Sequence, residues 1–97
     1  MWNYNFYVYI TTNPDKSTLY VGVTNNLERR LFEHHENRGN RKSFAGRYYC
    51  YNLIYFEEFA DINEAIMREK EIKGWRREKK ELLIAKTNPN WDTITFK

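Results

Sequence analysis

Three short segments of the chain have the residue pattern of β-strands. Residues 5–11 and 19–24 are rich in aromatic and β-branched side chains, and the Asn-Pro-Asp sequence at 13–15 lies between them as a turn signal. The two segments therefore predict an antiparallel hairpin. Residues 51–57 have a similar composition and predict a third strand.

Three other segments have helical spacing of apolar residues. Helices are predicted over residues 27–36, 61–73 and 76–86, with Gly74 as the break between the last two and Pro89 just beyond the end. The element order is then ββαβαα. This order indicates an α/β protein in the broad sense (α+β), with a small, largely antiparallel three-stranded sheet packed against helices.

Two segments lack a regular pattern. Residues 37–49 predict a basic loop between the first helix and the third strand. The tail, residues 90–96, has no assigned element. Its Trp91 and Phe96 are expected to dock on the body of the protein, because large aromatic side chains are costly to leave in water.

Length and composition limit the class of protein. With 97 residues, the chain predicts one domain spanning 1–97, because a second hydrophobic core would not fit. Hydrophobic residues make up 41% and charged residues 30%, as in soluble globular proteins. No apolar run approaches the roughly 20 residues of a membrane span, and no signal peptide is evident, so a cytoplasmic location is expected. The single cysteine, Cys50, excludes an internal disulfide and predicts a packed thiol.

The charge distribution points to a class of partner. Sixteen basic residues against 13 acidic ones give a net charge of +3, but the excess is local. Residues 37–49 contain four basic residues and no acid, and residues 68–86 contain eight basic residues and four acids. Such clusters are typical of proteins that bind a polyanion such as nucleic acid. A solvated surface is the alternative explanation.

Strand alternation predicts one aliphatic face and one phenolic face for the hairpin. Tyr7 and Tyr9 share a side of the first strand, and Tyr20 and Gly22 share a side of the second. A glycine inside a strand often marks the close approach of a ligand or another backbone. The tyrosines are either part of a polar site or cross-strand packing partners with solvated hydroxyl groups.

The first predicted helix carries polar groups beside its apolar stripe. Leu27 and Leu31 define the inward face, His34 lies on the same stripe, and Arg30 lies at its edge. An unpaired arginine or histidine is costly to bury. Either the two side chains belong to a functional site, or His34 bonds a backbone carbonyl while Arg30 extends to solvent.

Glu69 is the acidic residue that a strand end or a helix cap does not explain. It falls near the centre of the inward face of the second predicted helix, between Ile66 and Ile72. A carboxylate there must pair with a cation, accept hydrogen bonds or bind a metal ion. Arg30 and Lys73 are the candidate ion-pair partners.

Together these residues have the chemistry that phosphodiester hydrolysis needs. One carboxylate can hold a divalent cation that polarises the phosphate. An arginine can bind the phosphate through two N–H groups, and a phenol or an imidazole can move a proton. The sequence thus predicts a site formed by two tyrosines of the hairpin together with Arg30, His34 and Glu69.

The same residues resemble the motifs of the GIY-YIG nuclease family. Tyr7-Val8-Tyr9 and Tyr20-Val21-Gly22 look like the two short motifs that give the family its name. Arg30 and His34 match the functional positions of the family helix, and Glu69 matches the metal-binding glutamate. The similarity covers nearly the whole chain. It is strongest to small stand-alone bacterial members, grouped with the amino-terminal nuclease domain of the excision-repair subunit UvrC.

The resemblance implies a reaction and a role for each residue. The reaction is cleavage of one nucleic-acid strand with Mg²⁺ or Mn²⁺ as cofactor, with DNA favoured over RNA and DNA repair or processing as the setting. The resemblance implies Glu69 as the metal ligand and Arg30 as the phosphate clamp. Tyr9 and Tyr20 are the candidate bases, assisted by His34, and Tyr20 is favoured for activating water.

Two positions depart from the family pattern. Tyr7 stands where the first motif expects glycine. Val23 and Thr24 stand where some relatives carry a lysine. Lys42 or Arg47 is therefore expected to supply the positive charge near the second motif.

Basic and aromatic side chains alternate in the predicted loop. Cations on phosphates and rings on bases hold single-stranded or distorted nucleic acid, and edge packing is the alternative role for the rings. The predicted nucleic-acid-binding residues are Arg38, Arg41, Lys42, Arg47, Tyr48, Trp75 and Arg76. The chain has no room for a separate DNA-reading domain, so substrate shape, a homodimer or a protein partner is expected to supply specificity. Nucleic-acid binding without catalysis and a protein-interaction module are the competing functions.

Overall fold

A computed structural model describes residues 5–95 of the chain. Three antiparallel strands form one sheet in the order β2-β1-β3. The strands are β1 at Phe6–Thr12, β2 at Leu19–Thr24 and β3 at Asn52–Phe59. The helices are α1 at Leu27–Glu36, α2 at Phe44–Arg47, α3 at Ile62–Lys73 and α4 at Arg77–Ala85. This architecture confirms the predicted α+β class.

One face of the sheet carries the aliphatic core. Val8 and Ile10 of β1 and Val21 of β2 pack there with Ile72 of α3 and Ile84 of α4. All five side chains are buried. Helices α3 and α4 therefore cover the face that strand alternation predicted to be aliphatic.

The opposite face carries the tyrosines. Tyr9 of β1 and Leu53 of β3 are buried there against Leu27 of α1, with Tyr20 and Leu31 partly buried at the margin. Helix α1 therefore lies over the phenolic face of the hairpin. The two faces are covered by different helices, which leaves the phenol groups of the second face close to α1.

A short helix lies within the segment predicted to be a loop. Helix α2 follows Ser43, whose hydroxyl accepts a hydrogen bond from the Gly46 N–H at 3.0 Å. A Cβ at Gly46 would lie 2.6 Å from the carbonyl oxygen of Asn40, so this position requires glycine. The structure thus adds one helix to the predicted order ββαβαα. A four-residue helix fixed by a cap and a close backbone contact has no hydrophobic period to detect.

The other helices and strands lie close to their predicted boundaries. Both β2 and α1 have the predicted bounds, whereas β3 begins and ends slightly later than 51–57. Asp61 caps α3 by accepting a hydrogen bond from the Asn63 N–H at 2.9 Å, and Gly74 ends the helix. Within residues 5–95, no helix is both long enough and apolar enough to cross a lipid bilayer.

The tail packs along β3. The Ile94 N–H donates to the Leu53 carbonyl at 2.8 Å. Trp91 packs against the aliphatic core, with the Arg77 guanidinium 5.8 Å from its ring centroid. The predicted docking of Trp91 is therefore confirmed, while that of Phe96 lies outside the described residues.

Cys50 is a packed thiol, as predicted. It is fully buried just before β3, with its sulfur 3.8 Å from the Thr18 carbonyl oxygen. Burial raises the pKa of the thiol to about 11. Because the thiolate is the reactive form, this cysteine is inert at neutral pH.

Candidate active site

Helix α1 holds two of the predicted catalytic side chains against the phenolic face of the sheet. Its N-cap, Asn26, accepts a hydrogen bond from the Arg29 N–H at 3.0 Å, which fixes where the helix begins. Helical spacing from this start turns His34 inward, where it is only 5% exposed. Arg30, one turn earlier, is half-buried, and its Nη1 lies 3.1 Å from Glu33 Oε1.

Tyr9 and His34 form the central contact of the site. The phenol oxygen of Tyr9 lies 2.8 Å from Nε2 of His34, within hydrogen-bonding distance. Tyr9 is only 1% exposed, so its hydroxyl group has no direct route to water. The partner of His34 is therefore a phenol of the hairpin, rather than the backbone carbonyl considered from the sequence.

Gly22 leaves room for the Tyr9 ring. The two residues are cross-strand partners in the pairing of β1 with β2. A Cβ at Gly22 would lie 2.5 Å from the phenol oxygen of Tyr9 and 2.6 Å from its Cζ. The close approach predicted at this mid-strand glycine is thus made by a side chain of the protein, not by a ligand or a backbone.

We expect Gly22→Ala to displace the Tyr9 ring and to lower the free energy of unfolding by about 1–3 kcal/mol, the usual cost of overpacking. Gly74→Ala is the matched control, because the nearest atom to a Cβ there is 3.5 Å away and the backbone is already helical. Chemical denaturation of both variants measures the difference. Equal stabilities would contradict the proposed packing of Tyr9 on Gly22.

Tyr20 extends the cluster of rings toward the surface. Its ring centroid lies 5.4 Å from that of His34 and 6.2 Å from that of Tyr9. Phe44 of α2 stacks on it, with a centroid distance of 6.2 Å and an angle of 26° between the rings. Tyr20 is partly exposed. The accessible phenol of the site is therefore Tyr20, while Tyr9 is enclosed.

Electrostatics keep Tyr9 and His34 neutral at physiological pH. Burial, helped by the neighbouring Tyr20, raises the pKa of Tyr9. Burial also lowers the pKa of His34 to about 4, and the charge of Arg30 acts in the same direction. Burial alone would lower the pKa of Arg30, but its interactions with Tyr9 and Glu33 outweigh this and raise it. The site thus combines a neutral phenol–imidazole pair with a permanent cation.

The lowered pKa of His34 predicts a loss of stability in acid. The folded protein takes up this proton near pH 4, whereas the unfolded chain does so near pH 6.5. The stability gained from neutral His34 is therefore complete above about pH 6.5 and is lost as the pH falls toward 4. The full effect is on the order of 3 kcal/mol. As the pH is lowered from 8 to 4, the free energy of unfolding should fall more steeply for the wild type than for His34→Gln, and parallel curves would contradict the prediction.

Glu69 is connected to the cluster through Lys73. The Glu69 side chain on α3 is 14% exposed, and its Oε2 lies 3.0 Å from Nζ of Lys73. The same Nζ lies 5.9 Å from the ring centroid of Tyr20. Among residues 5–95, the ion pair of Glu69 is made with Lys73 and not with Arg30. One of the two predicted ion pairs is therefore present, and it lies next to the second motif.

The donor chemistry at Glu69 fits Mg²⁺ or Mn²⁺ held by a single carboxylate. Within the described residues, no group of three or more His, Cys, Asp or Glu side chains could hold a metal ion. Mg²⁺ keeps several waters and is usually bound by one or two carboxylates together with substrate phosphate oxygens. The partly buried carboxylate of Glu69 is the group of the site that could hold such an ion, in place of its Lys73 partner.

Most of the predicted binding residues lie in the exposed segment around α2. The members of this group are Arg38, Arg41, Lys42, Arg47 and Tyr48, all of them exposed. Tyr48 packs beside Phe44, with 4.7 Å between ring centroids. Since Phe44 also stacks on Tyr20, this segment is continuous with the candidate site.

Trp75 lies elsewhere. It packs against the aliphatic core, and its ring has the Arg68 guanidinium at 5.1 Å and the Lys79 ammonium at 4.3 Å from its centroid. This packing places the indole on the side of the sheet opposite His34, so Trp75 is not part of the candidate site. Arg76 is the exposed residue that precedes α4, and its contact with nucleic acid stays a prediction.

Two side chains were not predicted to lie beside Tyr20. Phe44 reaches the second motif through α2, an element that the sequence pattern does not reveal. Lys73 places its ammonium 5.9 Å from the ring centroid of Tyr20, while a contribution of Lys42 or Arg47 to the charge there stays a prediction. The spacing of four residues between Glu69 and Lys73 predicts the ion pair, since residues at this spacing touch on a helix, but that spacing contains no signal for the contact with Tyr20.

Comparisons with known proteins identify the family of the chain. The GIY-YIG catalytic domain matches residues 5–82. A UPF0213 protein of Bacillus pumilus is 39% identical over 84 residues, which are 87% of this chain and 83% of that protein. A UPF0213 protein of Natronomonas pharaonis is 43% identical over 79 residues, covering 81% of this chain and 89% of that protein. The solution NMR structure of a UPF0213 protein from Bacillus halodurans matches with a TM-score of 0.56 and 30% identity, over 89% of this chain and 88% of that one. The chain therefore belongs to the GIY-YIG nuclease family.

Proposed function

We propose that this protein is a divalent-metal-dependent endonuclease that hydrolyses phosphodiester bonds in DNA, in repair or processing. The observation that carries the proposal is the cluster of Tyr9, Tyr20, Arg30 and His34 between the hairpin and α1. A nuclease domain implies a nucleic-acid substrate. The preference for DNA over RNA is part of the proposal.

Tyr20 is the phenol that activates the attacking water. It is partly exposed, and the cations of Arg30 and Lys73 interact with it, so negative charge that develops there is offset. Tyr9 is enclosed and bonded to His34, so it acts as a positioning residue that holds the imidazole beside Tyr20.

Arg30 is the phosphate clamp. Its guanidinium is permanently charged and presents paired N–H groups that match two phosphate oxygens. The side chain is 36% exposed, so a substrate can reach it. Its ion pair with Glu33 is a surface pair, which is worth at most about 1 kcal/mol and yields easily to a phosphate.

Glu69 would hold the metal ion. A bound Mg²⁺ or Mn²⁺ supplies charge stabilisation to the phosphate oxygens. The burial of Glu69 on α3 limits the positions that its carboxylate can take, and Lys73 balances its charge in the protein alone.

The test is a cleavage assay on labelled single-stranded, nicked and branched DNA and on RNA. Each substrate is incubated with Mg²⁺ or Mn²⁺ and, in parallel, with a chelator. We expect cleavage of DNA that requires the metal and is absent from Glu69→Ala. Cleavage that persists in chelator would contradict the metal dependence.

A non-catalytic nucleic-acid-binding domain of the same fold is the second candidate. The Glu69–Lys73 ion pair favours it, because that pair occupies the carboxylate that a metal needs. Such a protein would bind DNA with an affinity that falls steeply with salt and would leave every substrate intact with either metal.

A further inference from the structure

We propose that a cleft beside β2 binds the phosphate of the nucleotide adjacent to the cleaved bond, through Lys73 and Lys80. The cleft has a volume of about 300 Å³. Its lining residues are Leu19, Tyr20, Val21, Phe44, Lys73 and Lys80. The proposal rests on the proposed function, because it names a subsite of the same substrate.

The cleft is built to attract an anion. Its lining has two lysines and no acidic residue, and the lysines come from different helices, α3 and α4. Lys73 is paired with Glu69 at 3.0 Å, whereas no acidic side chain within residues 5–95 forms an ion pair with Lys80. Lys80 is therefore the cation that is available to a phosphate without breaking an existing contact.

The position of the cleft identifies which phosphate it receives. Tyr20 is at once a wall of the cleft and a member of the catalytic cluster. A strand whose scissile phosphate lies at Arg30 and Tyr20 therefore places a neighbouring phosphate in the cleft. Phe44, which is 51% exposed, provides an aromatic wall against which the adjoining nucleoside can pack.

Lys79 is a matched control on the same helix. It carries the same charge and directly precedes Lys80, but its ammonium lies 4.3 Å from the centroid of Trp75 and lines a different cleft. Loss of overall positive charge should lower the affinity for DNA equally in variants of the two lysines. Loss of a contact inside the cleft should lower the affinity only in the Lys80 variant.

The experiment measures binding of a short fluorescein-labelled single-stranded DNA by anisotropy in EDTA, so that nothing is cut. We expect Lys80→Gln to weaken binding about tenfold and to reduce the slope of log affinity against log salt by about one. Lys79→Gln should leave both quantities close to those of the wild type. Equal losses in the two variants would overturn the subsite and indicate general electrostatic attraction.

A scan with the DNA itself avoids dependence on any one variant. A methylphosphonate removes the charge of a single phosphate, and it is placed in turn at each position of the oligonucleotide. At one position it should weaken wild-type binding about tenfold and cause no further loss in Lys80→Gln. Additive losses at every position would overturn the proposal.

The outcomes separate this proposal from the nuclease function. Absence of cleavage with an intact Lys80 effect would overturn the nuclease and leave Lys80 as a phosphate-binding residue of a non-catalytic domain. Cleavage with no difference between the lysine variants would support the nuclease and overturn the subsite. Failure of the wild type to bind any DNA would overturn both.

Discussion

Glu69→Gln is expected to lower the rate of DNA cleavage about a thousandfold, a loss of about 4 kcal/mol of transition-state stabilisation. Glutamine keeps the size of the side chain and its hydrogen-bonding capacity, but it lacks the charge that holds a divalent cation. Binding measured in chelator should survive, because Lys73 is released from its 3.0 Å ion pair and remains positively charged. Single-turnover cleavage in Mg²⁺ and anisotropy in EDTA measure the two effects separately.

Glu71→Gln is the control for this prediction. Glu71 lies on the same helix, but it is exposed and pairs with Arg68 at 2.7 Å. The Glu71→Gln protein should cleave DNA at the wild-type rate. A Glu69→Gln protein that cleaves as fast as the wild type would show that this carboxylate does not hold the metal.

Arg30→Ala is expected to lower the cleavage rate at least about a hundredfold, since it removes a charged donor at the reacting phosphate. Arg30→Lys should restore only part of the rate, because an ammonium cannot bind two phosphate oxygens in parallel. The fold should persist in both variants, because the guanidinium is partly exposed and its ion pair with Glu33 is a surface pair.

Arg29→Ala tests whether the effect belongs to the site. Arg29 is adjacent in sequence and equally charged, but it is directed to Asn25, at 3.1 Å, and to Glu33, at 3.9 Å. The Arg29→Ala protein should retain nearly the full rate of DNA cleavage. Equal losses for the two arginines would indicate a general effect of charge and contradict the clamp role of Arg30.

The sequence predicts the parts of the site that depend on periodicity. Strand alternation puts Tyr9 and Gly22 on one face, and the observed register makes them direct partners. Helical spacing puts His34 on the stripe of Leu27 and Leu31, and the helix packs that stripe on the same face. The face that a side chain occupies depends only on its own strand or helix, so a short stretch of sequence is enough to predict it.

The remaining parts depend on how separate elements pack. The contact of Lys73 with Tyr20 requires the end of α3 to lie beside the edge strand β2, which no local pattern specifies. Phe44 reaches the site through a helix too short to have a period. Trp75 stands beside two arginines in the sequence, which is typical of a ring that stacks on a base. In the structure its ring packs against the aliphatic core. The role of a homodimer or a protein partner in specificity stays a prediction.

The interlock of Tyr9 with Gly22 couples two positions that are 13 residues apart in the chain. Because the phenol fills the space that a side chain at position 22 would need, the size of residue that position 22 tolerates depends on the ring at position 9. We expect a homologue with a larger residue at the position of Gly22 to carry a smaller one at the position of Tyr9. The two short motifs are therefore coupled by packing. We expect covariation between positions 9 and 22 in a diverse set of homologous sequences.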